Sequence, residues 1–312
     1  MPVLDDTTIQ PLRRDIEART DLRWQPLHRI EDTGGDLQVV QAALAQSGFE
    51  RLLYAEGDSW FDKFTPIPMA GANLLDAVRT PFVAGVVDVS HIGDEAREMV
   101  SGRQARQTKA MFDVFDFDLI LLSAGGNDLK NVFADLFTSR VLAAQGVRTA
   151  WAAHELTRTP ADHSAVFDGV IASIGRFIGL RDAARRDRTR AAPIVLHGYD
   201  HLQPRPAPAT LLAGSKVGRG PWIYPALEEA GLTDAQMQAE ARQVVDTLNR
   251  RLAGLVAGLP NVYLIDQRGL LTPAEPGSTG ASNDWLDEIH PTPEGFVKLA
   301  RQRWDIALAS LL

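Results

Sequence analysis

Five short apolar runs, separated by stretches of helical character, constrain this chain more than any other feature. They are Arg51–Glu56, Phe82–Val89, Asp118–Ala124, Pro193–His197 and Asn261–Asp266. Runs that are apolar on both sides of the pleat suit parallel strands covered by helices on each face. Helical segments alternate with them: Asp36–Gln46, Asp94–Phe115, Ser164–Arg186, Thr233–Leu255 and Thr292–Leu311. The first stops at Ser47–Gly48, and the fourth opens with Thr233 and Gln236 in capping-box spacing. In the third, Val166, Val170, Ile174, Phe177 and Ile178 trace one apolar face. Strand and helix alternating five times specify a doubly wound α/β domain.

Residues 1–48 precede the first run and read as an N-terminal helical segment packing on the core, with the α/β domain over 49–312. Two stretches interrupt the alternation, 129–163 and the proline-rich 201–225. Loops of this length are often functional lids, and both leave the carboxyl ends of strands, where open α/β sheets bind ligands.

Composition narrows the function. A formal net charge of −8 argues against a nucleic-acid surface. Arg181–Arg190 alternates arginine with aspartate and reads as the solvated end of a helix. The absence of cysteine excludes disulfides, thiolate metal sites and a cysteine nucleophile. No run approaches the ~18–20 apolar residues of a membrane span, and Met1–Arg23 lacks the apolar core of a secretory signal. A cytoplasmic protein is the expectation; oligomeric state stays open.

Three polar motifs sit at the edges of apolar segments. Gly57–Asp58–Ser59–Trp60 follows the first run, Gly125–Gly126–Asn127–Asp128 the third, and Asp287–Glu288–Ile289–His290 lies near the C-terminus. A serine hydroxyl is a poor nucleophile near neutral pH; a base must take its proton and a carboxylate must orient that base. His290, three residues after Asp287, can use one ring nitrogen on the carboxylate and keep the other as a base. An asparagine amide at a strand end suits an oxyanion. Each motif alone also has an ordinary reading as turn chemistry.

In this order, and with a lone glycine after the second run, the motifs resemble the SGNH (GDSL) hydrolases over most of residues 50–311. The resemblance implies a flavodoxin-like three-layer α/β/α sandwich around a five-stranded parallel sheet, acting on carboxylic esters through an acyl-enzyme without cofactor or metal. It implies Ser59 as nucleophile, His290 as base and Asp287 as its orienting acid. The oxyanion hole would comprise Asn127 and the backbone amides of Ser59 and a glycine, for which Gly93 fits better than Gly85, inside the strand. Trp60 stands where the family usually has leucine; with Trp285 it is a candidate substrate contact, packing being the plainer use, and Asp284 and Trp222 are pocket-lining candidates by proximity. The partner is then a small-molecule, lipid or acylated-sugar ester.

Two other readings compete. Asp58, Asp62, Asn127, Asp128 and His197 loosely echo a metal-dependent phosphoesterase, although the histidines lack paired spacing. A non-catalytic flavodoxin-like binding module would hold a phosphate at the strand ends, yet no glycine-rich phosphate loop follows any strand. His197, Tyr199, Asp200 and His201 cluster after the fourth run and suit loop stabilisation, a metal or a substrate hydroxyl.

Overall fold

The computed structural model describes residues 2–19, 21–31, 36–62, 73–130, 160–209 and 220–312. Its centre is a seven-stranded sheet of β1 (Val3–Leu4), β2 (His28–Glu31), β3 (Arg51–Gly57), β4 (Ala84–Asp88), β5 (Leu119–Ser123), β6 (Ile194–His197) and β7 (Val262–Ile265). The spatial order is β1-β7-β6-β5-β3-β4-β2, and every pairing is parallel. All residues of β4, β5 and β6 are buried, as their unbroken apolar character requires of strands covered on both faces.

The five runs thus form the inner sheet, and its count rises from five to seven because the first 48 residues supply both outer strands. β1 is two residues long and β2 is the polar sequence His-Arg-Ile-Glu. Neither carries an apolar run, because an edge strand is paired on one side only.

The helices include α1 (Asp6–Glu17), α2 (Leu37–Gln46), α3 (Gly102–Val114), α4 (Pro160–Asp182), α5 (Asp234–Ala257), α6 (Pro293–Leu299) and α7 (Asp305–Leu311). α4 packs on α3 and α5; α1 packs on α7, giving a helical layer on each face of the sheet. The α5 capping box forms as its sequence specifies, Thr233 and Gln236 satisfying each other's backbone amides. The segment expected to be one helix from Asp94 is split into Ala96–Met99 and α3, whose first residue, Gly102, takes a φ of +54°. A π-helical turn, Ala300–Trp304, joins α6 to α7 and carries the buried Trp304.

Arg181 departs from the solvated role expected of its run. It is buried, and its guanidinium donates to the carbonyls of Ala192 and Asn261 beside β6 and β7. Arg186 and Arg188 do lie at the surface, paired with Asp116 and Asp118. No described helix is long and apolar enough to cross a membrane. The stretch 131–159, most of the first expected lid, lies outside the described residues, as does 210–219, the middle of the second.

Candidate active site

The inner strands run in the order second-first-third-fourth-fifth, which reverses direction between β3 and β5. Ligands of doubly wound sheets bind outside the carboxyl ends at such a point. Ser59 lies two residues beyond the end of β3, Gly93 five beyond β4 and Asn127 four beyond β5. The loops are tied together: His91 N donates to Gly57 O at 2.9 Å, and Asp58 N to Ser123 O at 3.1 Å.

Ser59 Oγ lies 2.7 Å from His290 Nε2. On the far side of the ring, His290 Nδ1 is 2.8 Å from Asp287 Oδ2 and 3.0 Å from Oδ1. The i,i+3 spacing works here because the chain turns tightly. Asp287 Oδ1 accepts the backbone amides of Ile289 at 2.9 Å and His290 at 2.8 Å. With Nδ1 donating to the carboxylate, Nε2 is the acceptor that faces the serine hydroxyl. All three residues are buried: Asp287 fully, Ser59 and His290 to 6% exposure. A dry setting strengthens each of these bonds relative to water.

Asn127 sits in the first turn of the helix that begins at Gly126, and its Nδ2 donates to Asp94 O at 2.9 Å. That bond fixes the amide against the Gly93 loop and uses one of its two N–H groups. Gly93 has φ +94° with open space where a Cβ would stand, so backbone conformation selects the glycine. At Gly126 the reason is crowding, since a Cβ would come within 2.8 Å of both Asp58 Oδ2 and the Tyr199 ring. Gly85, the alternative oxyanion glycine, is inside β4 facing Phe49, whose ring would lie 2.5 Å from an added Cβ. Its glycine is explained by packing.

Of the two candidate substrate contacts, Trp60 packs among buried rings, whereas Trp285 borders a cavity also lined by Asp200, His201 and Leu271. Both are almost fully buried. Trp60 packs among His197, Tyr199 and Phe296, and its Nε1 donates to Ile289 O at 3.1 Å, bracing the loop that carries His290. Another aromatic residue beside the site is Trp222, whose ring centroid is 6.2 Å from that of His290.

Beneath the Ser59 turn runs a buried polar chain that the sequence motifs do not reveal. Asp58 accepts from Ser123 Oγ at 2.8 Å, from the Trp60 amide at 3.0 Å and from the Tyr199 hydroxyl. Because the Ser123 proton goes to Asp58, His197 Nε2, 2.8 Å from Ser123 Oγ, must be the donor there. His197 Nδ1 then accepts from Gln267 Nε2 at 3.1 Å, and Gln267 Oε1 accepts from Trp304 Nε1 at 3.1 Å. Every donor points toward Asp58. Burial pushes the Asp58 carboxyl up, against the three bonds that favour its ionised form, and lowers His197 to about 3, so His197 is neutral near pH 7.

His197 therefore has both ring nitrogens engaged inside the protein. Asp200 accepts the amides of Gly269 and Leu271, at 2.6 and 2.8 Å respectively, and His201 pairs with Asp246. These bonds tie the segment after β6 to the loop after β7 and to α5. Among the described residues, no group of three or more His, Asp or Glu side chains is arranged to hold a metal ion.

No protein-family model matches the chain, and no curated protein matches it. Solved structures similar to it include a carbohydrate acetylesterase family member from Sinorhizobium meliloti, at 13% identity over 84% of this chain and 99% of that one, with a TM-score of 0.48. A lipase from a goat rumen metagenome matches at 13% identity over 81% and 95%, TM-score 0.45. A catalytic variant of an acetylxylan esterase from Geobacillus stearothermophilus matches at 14% identity over 82% and 94%, TM-score 0.42.

Proposed function

We propose that this chain is a serine hydrolase of carboxylic esters, working through an acyl-enzyme. The observation that carries the reading is the unbroken hydrogen-bonded line from Ser59 Oγ through the His290 ring to Asp287. The motifs that resemble the SGNH hydrolases support it from the sequence. Ser59 Oγ attacks the ester carbonyl while His290 Nε2 takes its proton, and Asp287 favours the imidazolium that results. The tetrahedral oxyanion is met by the free N–H of Asn127 and the amides of Ser59 and Gly93. His290 then protonates the leaving alcohol, and water, activated by the same histidine, releases the acid.

The test is covalent. A fluorophosphonate should label Ser59, as located by peptide mass spectrometry, and abolish hydrolysis of phenyl acetate; a chelator should not. Labelling elsewhere, or wild-type turnover by Ser59→Ala, would overturn the reading. Loss of activity to the chelator alone would favour the phosphoesterase.

A further inference from the structure

Glu288, between Asp287 and His290, is fully buried, yet the proposed chemistry does not use it. Its two carboxylate oxygens accept three consecutive backbone amides: Trp222 and Ile223 on Oε2, the latter at 3.0 Å, and Tyr224 on Oε1 at 2.6 Å. A second bond runs in parallel, from the Gln203 amide to Glu288 O at 2.8 Å. The segment so held carries Trp222, whose ring lies edge-on to His290. Lys130 Nζ is 5.6 Å from the centre of the same indole and 3.4 Å from Asn127 Oδ1. Trp222 is therefore bracketed by the base on one side and the oxyanion asparagine's neighbour on the other. Part of its surface remains exposed.

We propose that Glu288 is a positioning residue whose carboxylate seats Trp222 beside His290, where the indole forms the wall against which a flat-faced leaving alcohol binds. The inference rests on the esterase reading. His290 must hand its proton to the departing oxygen, so the alcohol lies next to the ring that Trp222 flanks. An indole gains most from a ring it can stack or meet edge-on. A short carboxylate serves the seating because it can accept from three amides at once; a glutamine has one acceptor oxygen and would turn a donor toward at least one of them.

The seating is linked to pH. Burial raises the Glu288 carboxyl to about 7, the three amides opposing the rise. The charged or titratable groups around it are Arg205, whose guanidinium donates to Trp285 O and Asp287 O, together with Asp287, His290 and, across the indole, Lys130. Deprotonation through about 7 supplies the full set of acceptors and tightens the seat.

The experiment uses the full-length protein labelled with 5-fluorotryptophan, with the Trp222 ¹⁹F resonance assigned by Trp222→Phe, and steady-state kinetics on phenyl acetate and methyl acetate. Glu288→Gln should shift or broaden the Trp222 resonance. It should raise KM for phenyl acetate roughly three- to tenfold, the worth of one aromatic contact, with a smaller change in kcat and a smaller effect on methyl acetate. Trp222→Ala, which leaves the buried carboxylate in place, should reproduce the KM change. Wild-type KM for phenyl acetate should fall as pH rises through about 7, and this dependence should flatten in Glu288→Gln. An unmoved resonance overturns the positioning role; a moved resonance with unchanged selectivity between the two esters overturns the wall. If fluorophosphonate fails to label Ser59, the esterase reading is what fails, and the resonance still decides whether Glu288 seats Trp222.

Discussion

Ser123 donates its hydroxyl to Asp58 at 2.8 Å, joining the last residue of β5 to the turn that carries Ser59. The contact is possible because Ser123 pairs with Gly57 in the parallel register of β3 and β5. It is one link in a chain of donors that converges on a buried carboxylate. Ser123→Ala removes the acceptor of His197 Nε2–H, and that nitrogen cannot find water at 1% exposure. A buried donor left unpaired costs about 1–3 kcal/mol. The urea midpoint should fall accordingly at unchanged m-value, and kcat should fall with it as the Asp58–Trp60 turn relaxes. A midpoint equal to wild type would show that the chain contributes nothing to the fold.

The line of bonds through Ser59, His290 and Asp287 predicts non-additive losses. Ser59→Ala and His290→Ala should each remove nearly all hydrolysis of an aryl ester, and the double variant should be little worse, because the pair acts as a unit. Asn127→Ala should lower kcat on the order of 100- to 1000-fold, the effect of losing one oxyanion donor. Its bond to Asp94 O makes a shift of the Gly93 loop a second contribution. A crystal structure of the variant with the loop unmoved would assign the whole loss to the donor.

The inner sheet could be read from the chain because strands buried on both faces must be largely apolar, as residues 119–122 and 194–196 are. β2 could not, since His28–Glu31 pairs on one side only, with Arg29 reaching Asp88 and the carbonyl of Phe61. In the site, Asp287 and His290 were legible because three residues of local sequence create the contact. The Asp58–Ser123–His197–Gln267 chain was not. Its members come from different strand ends, and only the register of β3, β5, β6 and β7 brings them together. Trp222 could be named from the sequence as a pocket-lining candidate, but not its seat: it is 68 positions from His290, and the buried Glu288 that links them looks like any charged loop residue until its three amide partners are known.

Glu288 also makes a prediction about stability. Its carboxyl is raised from 4.5 to about 7, chiefly by burial. The folded state therefore holds the proton more tightly than the unfolded chain, and between these values stability falls as pH rises. Asp88, Asp128 and Asp305, each raised to about 6 by burial, act with the same sign at lower pH. Comparing wild type with Glu288→Gln cancels those shared contributions. The unfolding free energy of wild type, relative to the variant, should drop by up to about 3 kcal/mol from pH 4.5 to pH 7.5. A difference that is flat, or that grows with pH, would contradict burial as the dominant influence on this carboxyl.

Asp287 acts on geometry and charge together. Its Oδ1 accepts two backbone amides while Oδ2 accepts from His290 Nδ1. In Asp287→Asn the single amide oxygen is drawn to the two fixed N–H groups, which turns the side-chain NH₂ toward Nδ1. Nδ1 must then be the acceptor, the proton moves to Nε2, and the ring presents a donor to Ser59 where a base is needed. The imidazolium also loses its counter-charge. We expect kcat to fall on the order of 10³- to 10⁴-fold. Tm should fall only by a few degrees, because the bonds to Ile289 and His290 survive. Asp287 is fully buried, so the variant does exchange a charged acceptor for a neutral one in a dry site. Scanning calorimetry and kcat on p-nitrophenyl acetate, read on the same preparation, separate the two effects. A variant that lost many degrees of Tm while its folded fraction kept full kcat would show that Asp287 only braces the loop.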